Sequence, residues 1–216
     1  MRPDHAPTPL ARSTYRHGDL RRALLDAAVE LARAGGPEAV VLREATRRAG
    51  VVPNAAYRHF ASRLALLQAV RAAALSAVAR AMEDELAGID SAGDLLAQAR
   101  ASVRAVGTGY LRFAQAETGL FRTAFATPVD VDDAPAAAKG GDSGLNPFEL
   151  LGAALDRLVE AGGMRPEHRP GAEFLAWSAV HGLALLIIDG PLRSLPPEQA
   201  QALGQRLLDM VEKGLE

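Results

Sequence analysis

Between Ala49 and Asn54 the chain reads Gly-Val-Val-Pro, and this short break constrains the fold more than any other feature. It sits inside Val41–Phe60, VLREATRRAGVVPNAAYRHF, and separates two helical patterns. On the first, Leu42, Ala45, Thr46 and Ala49 recur at helical spacing and give a small-residue inner face. Gly50 adopts the left-handed conformation that ends a helix at little steric cost. Val51 plugs the corner, and Pro53 fits the first turn of a new helix, where its missing N–H is not needed. Ala56 and Phe60 lie four apart and face inward, which leaves Asn54, Ala55, Tyr57, Arg58 and His59 outside. Two helices joined by a short glycine turn form a helix-turn-helix, whose second helix enters the DNA major groove. Asn pairs with adenine edges, Ala allows close approach, and Tyr, Arg and His reach phosphates. A plain helical hairpin with a solvated outer face fits the same pattern.

The residues themselves separate the two. Arg43-Glu44, Arg47-Arg48-Ala49-Gly50-Val51 and Tyr57-Arg58-His59-Phe60, with Ser62 and Arg63 opening the next helix, resemble the DNA-binding domain of the TetR family of bacterial regulators. Upstream, Tyr15-Arg16-His17-Gly18-Asp19-Leu20 resembles the entry to that family's first helix. The resemblance covers about residues 14–75. It implies a DNA-binding set of Arg16, His17, Arg43, Asn54, Ala55, Tyr57, Arg58, His59 and Arg63. Val41 and Val52 depart from the family pattern, which commonly has Ser or Thr capping these helices. Loss of such a cap typically costs ~1 kcal/mol.

Charge is unevenly spread. Up to residue 63 there are eleven Arg against six acids; beyond it, thirteen bases face twenty acids, for a net charge of −2. A basic part coinciding with a helix-turn-helix favours double-stranded DNA over a generic acidic partner. At 216 residues, 49% of them hydrophobic, the chain is long and apolar enough for one large or two modest domains. It has no Cys, which excludes disulfides and thiolate chemistry. The first residues lack the apolar core of a signal peptide. The uncharged stretch from Phe174 to Ile188 is too short for a membrane span. A cytoplasmic protein with no membrane partner is expected.

Periodicity elsewhere is helical throughout, with no β pattern and no repeat. Residues 1–14 read as a Pro-rich arm in which Arg2 and Arg12 can graze phosphates. A first helix is predicted over about Asp19–Ala34, with Leu20, Leu24, Ala27, Ala28 and Leu31 as its stripe. A long helix from Ser62 to about Leu86 turns Leu64, Leu67, Val70, Leu75 and Val78 inward. Asp94–Glu117 does so with Leu95, Ala99, Val103, Val106, Tyr110 and Phe113. Gly107-Thr108-Gly109 inside that helix lacks the preceding strand and third glycine of a nucleotide loop, so close helix packing is its expected use. Gly119–Phe125 is a short helix, and 127–145 reads as a long flexible loop containing the acidic pair Asp132-Asp133. Helices over Pro147–Ala161, Gly171–Asp189 and Pro197–Gly214 follow. The second is apolar almost all round, and the third has a stripe of Leu203, Leu207, Leu208 and Val211.

Trp177-x-x-x-His181-Gly182, with Gly190 after it and Gly119-Leu120-Phe121-Arg122 before it, resembles a TetR-type C-terminal ligand-binding domain with a Trp-His-Gly signature. The resemblance implies a homodimer built on the last two helices and an inner effector cavity. Candidate ligand contacts are Arg104, Tyr110, Phe113, Phe121, Phe125, Trp177 and His181. By default the aromatics, Phe148 included, are core, and a lone His on an apolar face is more often hydrogen-bonded core than ligand contact. If a cavity exists, its apolar walls and few polar anchors favour a small hydrophobic or aromatic effector with one hydrogen-bonding or acidic group.

Catalytic patterns are missing: five His stand without metal-ligand spacing, and there is no Gly-x-Ser-x-Gly elbow or phosphate loop. The sequence therefore predicts an all-α protein of about nine helices with no cofactor and no metal. An arm and three-helix DNA-binding domain span 1–62, and a ligand-binding and dimerisation domain spans 63–216. The predicted function is operator binding relieved by a small molecule, with repression as the family's usual sign. The recognition helices are expected about 34–36 Å apart or somewhat more. An architectural or adaptor protein without an effector, or an enzyme fused to a DNA-binding domain, is the alternative; saturable small-molecule release of DNA separates them.

Overall fold

In the computed structural model the described residues are 17–90, 92, 94–126 and 138–215, with the side chains of 17–19 and 53 left out of the description. Arg2, Arg12, Arg16, Asp132, Asp133 and the His17 side chain lie outside what is described. Nine helices and no strand are found among the described residues: α1 (His17–Gly35), α2 (Leu42–Arg48), α3 (Pro53–Ala56), α4 (Arg63–Ala87), α5 (Leu95–Ala116), α6 (Thr118–Phe125), α7 (Pro147–Glu160), α8 (Ala172–Ile188) and α9 (Pro197–Leu215). Short 3-10 turns occupy Pro37–Ala39 and Pro166–His168.

Local sequence explains most boundaries. Ser62 caps α4 by accepting from the Ala65 N–H at 3.1 Å, and Asp94 caps α5 through the Ala97 N–H at 2.8 Å. Asn146 and Glu149 form a reciprocal capping box at the start of α7. Val41 and Val52 hold the cap positions of α2 and α3 and make no cap bond. Val52 is 69% exposed, so exchanging it removes little burial. Val52→Ser should stabilise the fold by about 0.5–1 kcal/mol, read as a higher melting temperature; a lower one would mean that α3 starts elsewhere.

α4 is the centre of the molecule and packs against α1, α5, α6 and α7. Its buried residues, among them Leu66, Val70, Val78 and Met82, therefore spread around the helix rather than along one stripe. Long and apolar enough to cross a membrane by length and composition, α4 owes that composition to the helices around it. Two sequence expectations shift by register. Leu66 is fully buried and Leu64 is 46% exposed, the two sitting about 200° apart on the helix. Leu95, just after the Asp94 cap, is 77% exposed, and its neighbour Leu96 packs against the core instead.

At the α4–α5 crossing, a Cβ on Gly109 would meet the Ala81 carbonyl oxygen at 2.5 Å. The glycine is there for backbone approach, as its place in the helix predicted. The expected loop over 127–145 is corrected in its described part. Residues 138–145 form a turn docked on α4: Ser76 Oγ donates to the Gly140 carbonyl at 2.5 Å, and Glu83 accepts from the Asp142 and Ser143 N–H groups. Satisfying a buried hydroxyl and a carboxylate in this way fixes the turn in place.

Candidate DNA-binding face and ligand cavity

Gly50 at φ 68° makes the turn between α2 and α3. Leu42, Ala45, Thr46, Ala56 and Phe60 are buried behind it. The Arg21 guanidinium lies 5.1 Å from the Phe60 ring centroid, tying α1 to this unit. α-Helical structure ends at Ala56, but the chain continues in turns, with the His59 and Phe60 N–H groups both donating to the Ala56 carbonyl at 2.9 Å. Asn54, Arg58 and Tyr57, the last 58% exposed, are left outward, with Ala55 and His59 half-buried beside them. Arg43 is exposed on α2.

Arg63 makes contacts within the chain that the sequence did not show. Its Nε donates to the Val40 carbonyl at 2.8 Å and its Nη2 to the Pro37 carbonyl at 3.0 Å, fastening α4 to the entry of α2. Carbonyls next to a turn have lone pairs to spare for a guanidinium fork, and this use was invisible at the level of spacing. Arg47 and Arg48 both donate to Glu44, whose carboxyl is pushed down to about 2, chiefly by the Arg47 hydrogen bonds.

In the C-terminal region the buried Tyr110 hydroxyl joins two helices. It receives the Trp177 indole N–H at 3.1 Å and lies 2.7 Å from Nδ1 of His181, four residues along α8. Burial pushes the Tyr110 hydroxyl above its ordinary range and His181 below its own. The hydroxyl and the imidazole Nδ1 pair through a single proton between them. Phe121 is fully buried and meets Tyr110 edge-on at 5.3 Å; Phe125 stands 4.9 Å from Phe121 and 6.2 Å from Trp177.

Beside this cluster is a cavity of about 280 Å³. Of the seven candidate contacts, Tyr110, Phe125, Trp177 and Arg104 line it. Phe113 and Phe121 are buried in the core, and His181 stands behind Tyr110 rather than on the wall. Arg104 is bound to α9, donating to Gln205 at 2.9 Å and to Asp209, with Glu212 at 3.5 Å. Sequence reasoning missed Arg71 and Lys139 and assigned Phe148 to the core; all three are on the wall. A signal was available for two of them. Arg71 interrupts an otherwise apolar run in α4, and Lys139 is one of only two Lys in an Arg-rich chain.

Two links connect the cavity to the helix-turn-helix. α4 carries Arg71, Leu75 and Met82 on the wall and Arg63 at its other end. α6 carries Phe125 on the wall, and at its start Gly119 touches the Ala32 and Arg33 carbonyls of α1, beside an Arg33–Glu117 hydrogen bond of 2.8 Å. At α8, Leu175 and Leu186 are 73% and 44% exposed on the same side of the helix, with Gly182 between them. Leu203 and Leu207 of α9 pack partly on the protein's own core.

A helix-turn-helix with an outward polar face, joined by two helices to a cavity-bearing helical domain, defines a one-component DNA-binding regulator. Family comparison agrees: residues 24–70 match the family described as bacterial regulatory proteins, tetR family, and residues 103–211 match the tetracyclin repressor-like C-terminal domain. The chain belongs to the TetR family and is a DNA-binding transcriptional regulator, not an enzyme. Among solved structures it is similar to a protein of unknown function from Rhodococcus sp. RHA1, at 26% identity over 94% of this chain and 99% of that one, with a TM-score of 0.74. It also shares its fold with the TetR family regulator PfmR from Thermus thermophilus (21% identity, 89% and 98% covered, TM-score 0.58). A TetR variant from Acinetobacter baumannii AYE in complex with minocycline has the fold too (19%, 88% and 93%, TM-score 0.54). No curated protein matches the chain.

Proposed function

We propose that the protein is a homodimeric repressor that binds a near-palindromic operator and is released from it by a small, mainly apolar effector. The observation that carries this is the cavity of about 280 Å³, walled by Tyr110, Phe125 and Trp177 and touched by both helices that reach the helix-turn-helix. In this proposal residues 1–62 form the DNA-binding part and 63–216 the ligand-binding and dimerisation part. Arg16, His17, Arg43, Asn54, Ala55, Tyr57, Arg58 and His59 face the duplex, the exposed groups at phosphates and Asn54 at a base edge. The outer stripe of α8 pairs with its counterpart across a two-fold axis. A ligand between α4, α5 and α8 changes the separation of the two recognition helices by moving α4, with α6 moving against α1. Such a regulator works where the DNA is, in the cytoplasm.

Footprinting the purified protein on the DNA flanking its own gene tests the operator, and effector-dependent loss of the footprint tests the switch. On the operator so found, Tyr57→Ala should weaken binding by at least ~1 kcal/mol without unfolding the protein. An unchanged gel-shift titration at fixed salt would remove this face from the DNA interface.

A further inference from the structure

Among the described residues on the cavity wall, the charged side chains are Arg71, Arg104, Lys139 and Glu212, and all four are engaged within the chain. Arg104 donates to Gln205 and Asp209 and has Glu212 at 3.5 Å, and Arg100 approaches the same Glu212 at 3.7 Å. Arg71 Nε donates to the Ala124 carbonyl at 3.1 Å, and Lys139 has a partner as well. A charged effector would have to draw one of these groups from its partner or lie buried unpaired, and either is costly. Of the uncharged polar side chains on the wall, Trp177 and Tyr110 bind one another, and the Tyr110 hydroxyl also meets His181.

Asn146 is the third of these, and it differs. Its Oδ1 caps α7, accepting from the Phe148 and Glu149 N–H groups at 2.9 and 3.0 Å, while its own backbone N–H donates to the Glu149 carboxylate at 2.8 Å. These bonds fix which way the amide lies, since exchanging its ends would set Nδ2 against two N–H donors. Nδ2 is thereby turned from the α7 start, and it has no acceptor among the described residues. Asn146 is half-buried and borders the cavity with Tyr110, Phe125, Phe148 and Trp177. We infer that the effector is an uncharged aromatic carbonyl compound, its rings against these four side chains and its carbonyl oxygen accepting from Asn146 Nδ2. As the effector displaces water, this fixed donor stays satisfied only if the effector brings an acceptor. The inference deepens the effector proposal above and rests on it.

The test uses the full-length protein and three naphthalenes of nearly one shape, followed by calorimetry at neutral pH. They are 2-acetylnaphthalene, 2-isopropenylnaphthalene, in which a methylene replaces the carbonyl oxygen, and the anion 2-naphthoate. The ketone should bind at least about fivefold more tightly than the hydrocarbon, the net effect of one hydrogen bond. It should bind at least about tenfold more tightly than the carboxylate. In Asn146→Asp, which keeps the cap and has no side-chain donor, the preference of ketone over hydrocarbon should vanish. Should that variant fail to fold, Asn146→Gly, also tolerated at a cap, should show the same loss. A carboxylate that binds as tightly as the ketone overturns the uncharged effector. A ketone preference that is absent from the native protein, or that survives in the folded variants, overturns the Asn146 contact. If none of the three binds, the inference falls, and the effector proposal falls with it only if no apolar compound shifts the melting temperature.

Discussion

Leu175→Glu combined with Leu186→Glu should turn the protein from a dimer into a monomer at micromolar concentration and weaken operator binding by at least about a hundredfold. The two leucines are 73% and 44% exposed, eleven residues apart on α8, and so fall within about 20° of one another around the helix. In a single subunit a carboxylate at either position remains in water, so the helical content and melting of the monomer should change little. In the proposed dimer the same carboxylates would be buried at the two-fold contact, where unpaired like charges are strongly unfavourable. Losing the partner removes one of two tethered half-site contacts, and tethering of that kind is worth about 10²–10⁴ in affinity. Light scattering and a gel shift on the same samples read both effects. An intact dimer would place the subunit contact elsewhere. Leu207, on the α9 stripe, packs partly on its own subunit's core, and a charge there would confuse folding with assembly.

What the sequence conveyed and what it withheld divide along a physical line. Helix identity rests on local periodicity and caps, so Ser62, Asp94 and Pro147 mark starts that the structure repeats. The inner face of the helix-turn-helix was legible because Ala45, Ala56 and Phe60 have only one packing direction. Around α4 that logic failed, since a helix surrounded by four others has no single stripe, and Leu64 was misplaced. The bonds from Arg63 to the Val40 and Pro37 carbonyls went unread because a pattern shows which side a charge lies on and not which carbonyls lie within its reach. The cavity posed the same difficulty in a stronger form. Whether an aromatic fills space or borders it depends on contacts between α5, α6 and α8, helices distant in sequence. Phe121 and Phe125, one helical turn apart, ended on opposite sides of that distinction.

That distinction yields the second large effect. Phe121→Ala should cost about 3–5 kcal/mol of stability, because the ring is fully buried between Tyr110 and Phe125 and its removal leaves a hole that close-packed neighbours fill only in part. For a chain of this size that corresponds to a fall in melting temperature on the order of 10 °C. Trp177→Ala should behave differently. The indole is half-buried and borders space that is already empty, so truncation enlarges an existing cavity instead of opening a new one. It also removes the N–H bond to Tyr110, whose hydroxyl keeps His181 as a partner. Stability should drop by clearly less than in Phe121→Ala, and any compound that shifts the melting temperature of the native protein should lose most of its effect. Thermal denaturation of the three proteins with and without such a compound decides the matter. Equal destabilisation by both substitutions would mean that Trp177 completes the core, and the effector site would then have to be sought away from α8.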